Sequence, residues 1–372
     1  MTQGWFAREN AQCRMALGLA SNVAARAIPE RGTIEIGPLT VAPGKAVSVD
    51  TMLLAQIPPG PAESWSAFAA VPSAPSVLPD AQTLAGIDVA ELLAKTREAW
   101  AMTASVRTRD ATVQDIFDKA HFGLAAMVAD SGVMDAGMFE YGAQWVRDTS
   151  NTLLGLVHAG HFELARRGFA HVLEHMVNAE GNAMIAGQFD DPDREQFDQM
   201  GELLHALKAY RDWTGDDSLI REYRVKLLAL VERTLRPEFR DQTGMVHNRR
   251  EFWERTLEDA YELAYQTYVI LGLRDAAALA GPLGAADRAQ RWLDEADRIQ
   301  EVVFELPNCA LVENGHLAKR RAVNGEIVRT VHFRASAADV PLNTERVNLI
   351  EPDATTALPI AYGLIPPRSG FF

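Results

Sequence analysis

From about residue 112 onward, apolar residues recur at the three-and-four spacing of an α-helix. Phe162, Ala165, Phe169, Val172, Leu173 and Met176 make one such stripe, with His, Arg and Glu on the opposite face. Three more follow: Phe197, Met200, Leu203, Leu204 and Leu207; Ile220, Tyr223, Leu227, Leu230 and Val231; Ala289, Trp292, Ala296, Ile299 and Val303. Between the stripes stand stop and start signals, Ala159-Gly160, Thr214-Gly215-Asp216-Asp217 and Ala280-Gly281-Pro282. Short connections make neighbouring helices antiparallel, so the pattern predicts a series of helical hairpins, enough of which close into a ring. Roughly seven or eight helical patterns stand against the dozen or so of a six-hairpin ring, which predicts an incomplete one.

The beginning of the chain has a different period. Gly32 to Gly44 and Ala46 to Leu54 alternate apolar and polar residues between Pro and Gly punctuation, the pattern of half-buried strands joined by turns. So few strands do not bury both faces of two sheets, so residues 1–72 are expected to be the last strands of a β-sandwich. A Pro, Ala and Ser-rich linker (Val71 to Pro79) and one helix, Val89 to Met102, follow. The expected organisation is a β-sandwich remnant over 1–72, a linker with one helix over 73–111, and a partial helical barrel over 112–372. Asn314-Gly315 and Asn324-Gly325 read as hairpin turns on the helical body.

Composition narrows the function classes. With 372 residues, 48% apolar and 23% charged, the chain can bury a large core. A net charge of −14 gives no footprint for nucleic acid and no attraction to an anionic membrane, and favours neutral or cationic ligands. No stretch is apolar enough to cross a bilayer. Met15 to Ala20 is too short, and too closely flanked by Arg14 and Ser21-Asn22, for a convincing signal peptide. The location is therefore read as cytoplasmic, with secretion as the alternative. Cys13 and Cys309 have no metal-type spacing. His171 and His175 are four apart with no third ligand at motif spacing, so a solvated helix face is expected there. No Gly-rich phosphate loop or nucleophile elbow is present, and no cofactor or metal is expected.

Two short segments carry chemistry. Trp145-Val146-Arg147-Asp148 and Glu251-Phe252-Trp253-Glu254-Arg255 each set an aromatic ring beside charged groups, the second running directly into a helical pattern. Rings suit the apolar faces of a sugar, and charges suit its hydroxyls and the bond to be broken. Glu254 beside Trp253 can be the proton donor, since an aromatic neighbour desolvates a carboxyl; the plainer alternative is an exposed glutamate at a helix start. Glu251 can line the same site or belong to a solvated charge run with Arg249 and Arg250. Trp145 is a stacking platform or a core ring, and Asp148 a sugar ligand or the cap of a helix starting at Thr149. Asp198 and Glu202 lie four apart on an apolar stripe, so at least one should face inward in a structural role. Gln188 and Asp190-Asp191 precede that helix in a polar loop.

These segments resemble, in order, those of the glucoamylase-like enzymes, glycoside hydrolase family 15. Tyr141 to Ser150 is similar to the Trp-x-Arg-Asp-[AST]-Ser segment, and Asp198-Gln-Met-Gly-Glu202 to an Asp-x-x-Gly-Glu helix. Trp253-Glu254 with Tyr261 and Ala264-Tyr265 is similar to the Trp-Glu helix, and Pro352-Asp353-Ala354 to an Asp-Ala-Ser segment. The pattern departs at Val146, where the family has Pro, and at Thr355-Thr356, where it has a more apolar pair. The resemblance covers roughly residues 140 to 365. It implies an (α/α)6 barrel, often preceded by a β-sandwich, that hydrolyses α-glucosidic bonds with inversion on an oligosaccharide or polysaccharide. It implies Glu254 as general acid, and Trp145, Arg147 and Asp148 around the terminal sugar; Trp253 and Glu251 are expected to bind substrate beside them. It places the general base well after Asp353, beyond Phe372. Two other classes stay open: another six-hairpin enzyme, such as a debranching α-1,6-glucosidase or a trehalase, and a non-catalytic carbohydrate-binding toroid.

Overall fold

Helix or strand is decided along most of this chain by which period of apolar residues finds a partner to pack against. The computed structural model describes residues 2–9, 14–21, 25–28, 33–36, 51–56, 89–101, 103–129, 131–136, 143–189, 195–254, 256–333, 346–349 and 353–366. The chain divides into two compact units, residues 1–103 with 139–143, and residues 104–138 with 144–372.

The first unit contains strands β1 (Thr2–Glu9), β2 (Arg14–Ser21), β3 (Ala25–Ile28), β4 (Thr33–Ile36) and β5 (Thr51–Gln56), and helix α1 (Val89–Ala101). An antiparallel sheet runs in the order β1-β2-β5, and β3 and β4 pair as a hairpin. The apolar run Met15 to Ala20 is thus the central strand of a sheet. The Val71 to Pro79 linker lies outside the described residues.

The second unit is mainly helical. It holds α2 (Ala111–Ala126), α3 (Val146–His158), α4 (Phe162–His171), α5 (Asp198–Thr214), α6 (Ser218–Glu222), α7 (Arg224–Arg233), α8 (Leu263–Ala278), α9 (Ala280–Leu283), α10 (Ala289–Glu305) and α11 (Leu358–Ala361). All four expected stripes are helical. The first ends in a π-helical turn, Val172–Met176, and the third is split between α6 and α7.

Among the described residues, helices α3, α5 and α8 pack side by side as the inner helices, α3 against α5 and α5 against α8, while α4 packs against α3 and α10 against α8. Almost every side chain of α8 is buried, as a helix apolar all round requires. Contact between α5 and α8 is extreme: a Cβ on Gly201 would lie 2.0 Å from the Tyr268 carbonyl oxygen, and one on Gly272 2.3 Å from the Met200 sulfur.

The second unit also holds a three-stranded antiparallel sheet, two of whose strands precede α8 in sequence while the third follows α10. It joins β6 (Asn248–Arg250), β7 (Thr256–Glu262) and β10 (Arg320–Ala322). Asn314 (φ 51°) and Gly315 (φ 81°) turn the expected hairpin between β8 (Val312–Glu313) and β9 (His316–Leu317). No described helix is long and apolar enough to cross a membrane.

Candidate functional site

The inner helices bring their N-terminal ends together. Trp145 is the extended residue before α3, Arg147 and Asp148 lie in its first turn, Asp198 opens α5, and the β6–β7 loop carries Trp253 and Glu254. The indole Nε1 of Trp145 donates to Glu254 Oε1 at 2.6 Å. Arg147 Nε donates to Asp198 Oδ2 at 2.5 Å and its Nη1 to the Phe252 carbonyl at 2.8 Å, while its guanidinium lies 4.0 Å from the centre of the Phe252 ring. Arg147 therefore ties α3, α5 and the β6–β7 loop at a single point. Burial alone would lower its pKa, but the charges of Asp198 and Glu202 outweigh that and hold it above the ordinary value.

Asp148 sits beside this strut, half-buried. Burial raises its carboxyl pKa, and the negative charges of Glu254 and Asp198 add to the rise against the opposing pull of Arg147. Helix α3 starts at Val146 rather than Thr149, so Asp148 is a first-turn residue and not the cap. The positive end of the helix still favours its charge.

Glu254 has φ of +69°, a left-handed conformation that costs a non-glycine residue about 1–3 kcal/mol unless the surroundings impose it. Its amide donates to the Glu251 carbonyl at 2.9 Å, closing a turn over Phe252 and Trp253. Besides Trp145, Arg250 Nη2 approaches Oε2 at 3.3 Å, and the side chain keeps 26% of its surface open. Strand β7 separates this turn from α8, so the segment does not run directly into a helix as expected. Glu258 and Asp259 stay exposed while Ala260 to Glu262 are buried.

Glu251 is not part of a solvated charge run. Arg249 is exposed, but Glu251 is fully buried, 2.9 Å from Lys319 Nζ, with no surface left for a sugar. Trp253 is half exposed and donates its indole N–H to Asp353 Oδ2 at 2.8 Å. Trp145 is buried, a core ring whose polar edge reaches the site.

The expected inward pair is inward in both members. Asp198 and Glu202 are buried; Asn151 Nδ2 donates to Glu202 at 3.2 Å, and burial followed by the Asp198 charge pushes the Glu202 pKa well up. Tyr268 and Tyr362 stand beside it, their hydroxyls 3.4 Å apart and both pushed up by burial. Gln188 is exposed, and Asp190-Asp191 lies outside the described residues. His175 is exposed, whereas His171 is half-buried and within 3.0 Å of Gln144. Among the described residues no three His, Cys, Asp or Glu side chains are grouped to hold a metal. A surface cleft of about 320 Å³ lined by Asp297, Gln300, Glu301, Phe304, Glu305 and Ile365 shares no residue with this cluster.

Sequence reasoning missed Lys319, Arg320 and Glu262. Lys319, Arg320 and Arg321 are three consecutive cations, yet all are buried, Lys319 just before β10 and the two arginines within it, with Arg320 Nη1 donating to Glu262 Oε2 at 2.7 Å. Lys319 Nζ also meets Asp353 Oδ2 at 2.8 Å. Burial would raise the Asp353 pKa, but donors from Lys319, Thr355 and Trp253 bring it down to about 2. The available signal was acidic: Glu251, Glu262 and Asp353 on apolar segments need cations.

The cluster thus sets one partly open carboxyl, Glu254, and one half-buried carboxyl, Asp148, near an exposed indole. Such a set can protonate an oxygen and hold hydroxyl groups. No family model and no curated protein sequence matches the chain. Solved structures do. A wild-type glycosidase is 19% identical with a TM-score of 0.50, over 77% of this chain and 69% of that one. A glucoamylase from Saccharomycopsis fibuligera is 14% identical, TM-score 0.44, over 58% of this chain and 54% of that one. A bacterial glucoamylase complexed with acarbose is 12% identical, TM-score 0.47, over 80% of this chain and 46% of that one. The chain spans about half the length of these two glucoamylases. The likeness to the wild-type glycosidase shows the fold: the mainly helical, six-hairpin glycosidase type.

Proposed function

We propose that this chain carries the acid side of an inverting, exo-acting α-glucosidase site of glucoamylase type, working on an oligosaccharide or polysaccharide. The observation that supports this reading best is the bond from the Trp145 indole to Glu254 beside Asp148, at the converging ends of the inner helices.

Glu254 is the proton donor. Trp145 holds Oε1 at 2.6 Å and Arg250 approaches Oε2 only at 3.3 Å, so Oε2 is the oxygen that gives its proton to the glycosidic oxygen as the bond to the anomeric carbon breaks. Water attacks that carbon from the opposite face, and its proton passes to a second carboxylate about 6.5 to 9.5 Å away. Asp148 accepts hydrogen bonds from hydroxyls of the terminal sugar, and the exposed Trp253 ring covers an apolar sugar face. Arg147, already bonded to Asp198 and Phe252, holds Asp148 and the Glu254 loop in register.

The test is Glu254→Gln in the full-length protein, assayed on maltose, isomaltose, trehalose and starch. The substitution keeps shape and removes the acid, so turnover of these unactivated substrates should fall by about 10² to 10⁴, with substrate binding retained. Near-wild-type turnover would remove Glu254 from the mechanism, and the substrate panel separates the glucoamylase reading from the debranching and trehalase ones.

A further inference from the structure

The turn that carries Glu254 is held from below by a buried cation. Lys319 has no exposed side-chain surface, and its ammonium lies 2.9 Å from Glu251 Oε2 and 2.8 Å from Asp353 Oδ2. Those two carboxylates grip opposite ends of the turn. Glu251 is its first residue, and its carbonyl accepts the Glu254 amide; Asp353 Oδ2 also accepts the Trp253 indole N–H from the residue next to Glu254. Glu262 adds a third grip, receiving the Phe252 amide at 3.4 Å with Lys319 4.0 Å away. Asp353 is itself fixed, because its other oxygen caps the 3₁₀ turn Ala354–Ala357 through the Thr355 amide and hydroxyl.

A left-handed Glu254 persists only where the surroundings impose it, and these are the groups in place to do so. We propose that Lys319 is a positioning residue for Glu254: by bridging Glu251 and Asp353 it locks the 251–254 turn and so fixes the direction in which the Glu254 carboxyl points. The inference rests on the reading of Glu254 as proton donor. Removing the ammonium leaves two buried carboxylates facing one another without a counter-charge, which drives the ends of the turn apart. Lys319 meets α8 through its backbone carbonyl, which accepts the Leu263 amide at 2.8 Å and which a side-chain substitution retains. Gly201 and Gly272 set the α5–α8 contact, and none of the three grips lies in that contact.

The test compares Lys319→Met, which keeps the length of the stem, with Asp353→Asn, which keeps an acceptor for Trp253 at a less buried position and guards against a Lys319→Met protein that does not fold. Two readouts are taken. Hydrogen–deuterium exchange should show the Glu254 amide exchanging at least tenfold faster in either variant, with α5 and α8 as protected as before. On substrates, either variant should lose at least tenfold in kcat on maltose, with KM little changed, but keep kcat on α-glucosyl fluoride, whose fluoride leaves without a proton. Unchanged exchange at Glu254 would overturn the proposal, as would equal losses on both substrates, the mark of a merely structural role. A wild-type protein that hydrolyses neither substrate would count against the glycosidase reading alone, the exchange result still deciding whether Lys319 locks the turn.

Discussion

At Asp148, burial and the nearby carboxylates both oppose ionisation, and the sign of the effect on stability follows from that. Its folded pKa is raised, so the folded state binds the proton more tightly than the unfolded chain, and ionising the group as pH rises works against the fold. Asp148→Asn removes that penalty. The variant should melt at a higher temperature than wild type at pH 7.5, and the gain should be gone at about pH 3, below the ordinary aspartate value of about 3.9, where the folded and unfolded chains both hold the proton. Under the proposed function the same change weakens sugar binding. Melting curves at the two pH values, paired with a binding titration, check both halves; a variant destabilised at pH 7.5 would show that the charge of Asp148 is compensated in the fold.

Among the elements, the pair α5 and α8 constrains the rest. Their backbones meet at Gly201 with no room for a methyl group. Gly201→Ala should therefore destabilise the protein by about 3 kcal/mol, at or above the upper end of ordinary overpacking, and should shift Asp198 and Glu202 away from Arg147 and Asn151. Denaturant unfolding measures the loss; a change under about 1 kcal/mol would mean that the helices slide apart freely. The hairpins were legible in the sequence because each stripe, such as Ala289 to Val303, keeps its period for several turns. Strand β7 was not, since its sequence, Thr256-Leu-Glu-Asp-Ala-Tyr-Glu262, lacks the apolar and polar alternation that marks a strand. The network of Lys319, Glu251, Glu262 and Asp353 was hidden for another reason. Its members lie up to 102 positions apart, the difference between 353 and 251, and only tertiary structure turns charges that read as solvated into buried partners. Trp145, Asp148 and Glu254 could be singled out because ring-and-charge clusters are local, and the structure sets Trp145 and Asp148 beside Glu254, although Arg147 is already bonded to Asp198 and Phe252 and Glu251 to Lys319.

For the whole molecule, the formal charge of −14 acts on any ligand that reaches the site. A neutral oligosaccharide feels almost none of it, whereas a phosphorylated one approaches against a field that salt screens within about 10 Å at 0.1 M. Calorimetric affinity for a neutral maltooligosaccharide should stay constant as salt is raised, while a phosphorylated counterpart should bind more weakly at low salt and recover as salt increases. A neutral ligand with strong salt dependence would mean that charge, and not hydroxyl recognition, governs binding. One feature reaches further. The backbone at Glu254 is a place where glycine or asparagine sits at ease and glutamate does not. A lineage that no longer needed a carboxyl there would be free to drift to the relaxed residue and gain stability by doing so. Under the proposed function, the amino acid at this position in natural variants should therefore record selection: glutamate where the chemistry is kept, glycine or asparagine where the scaffold has been turned to another use.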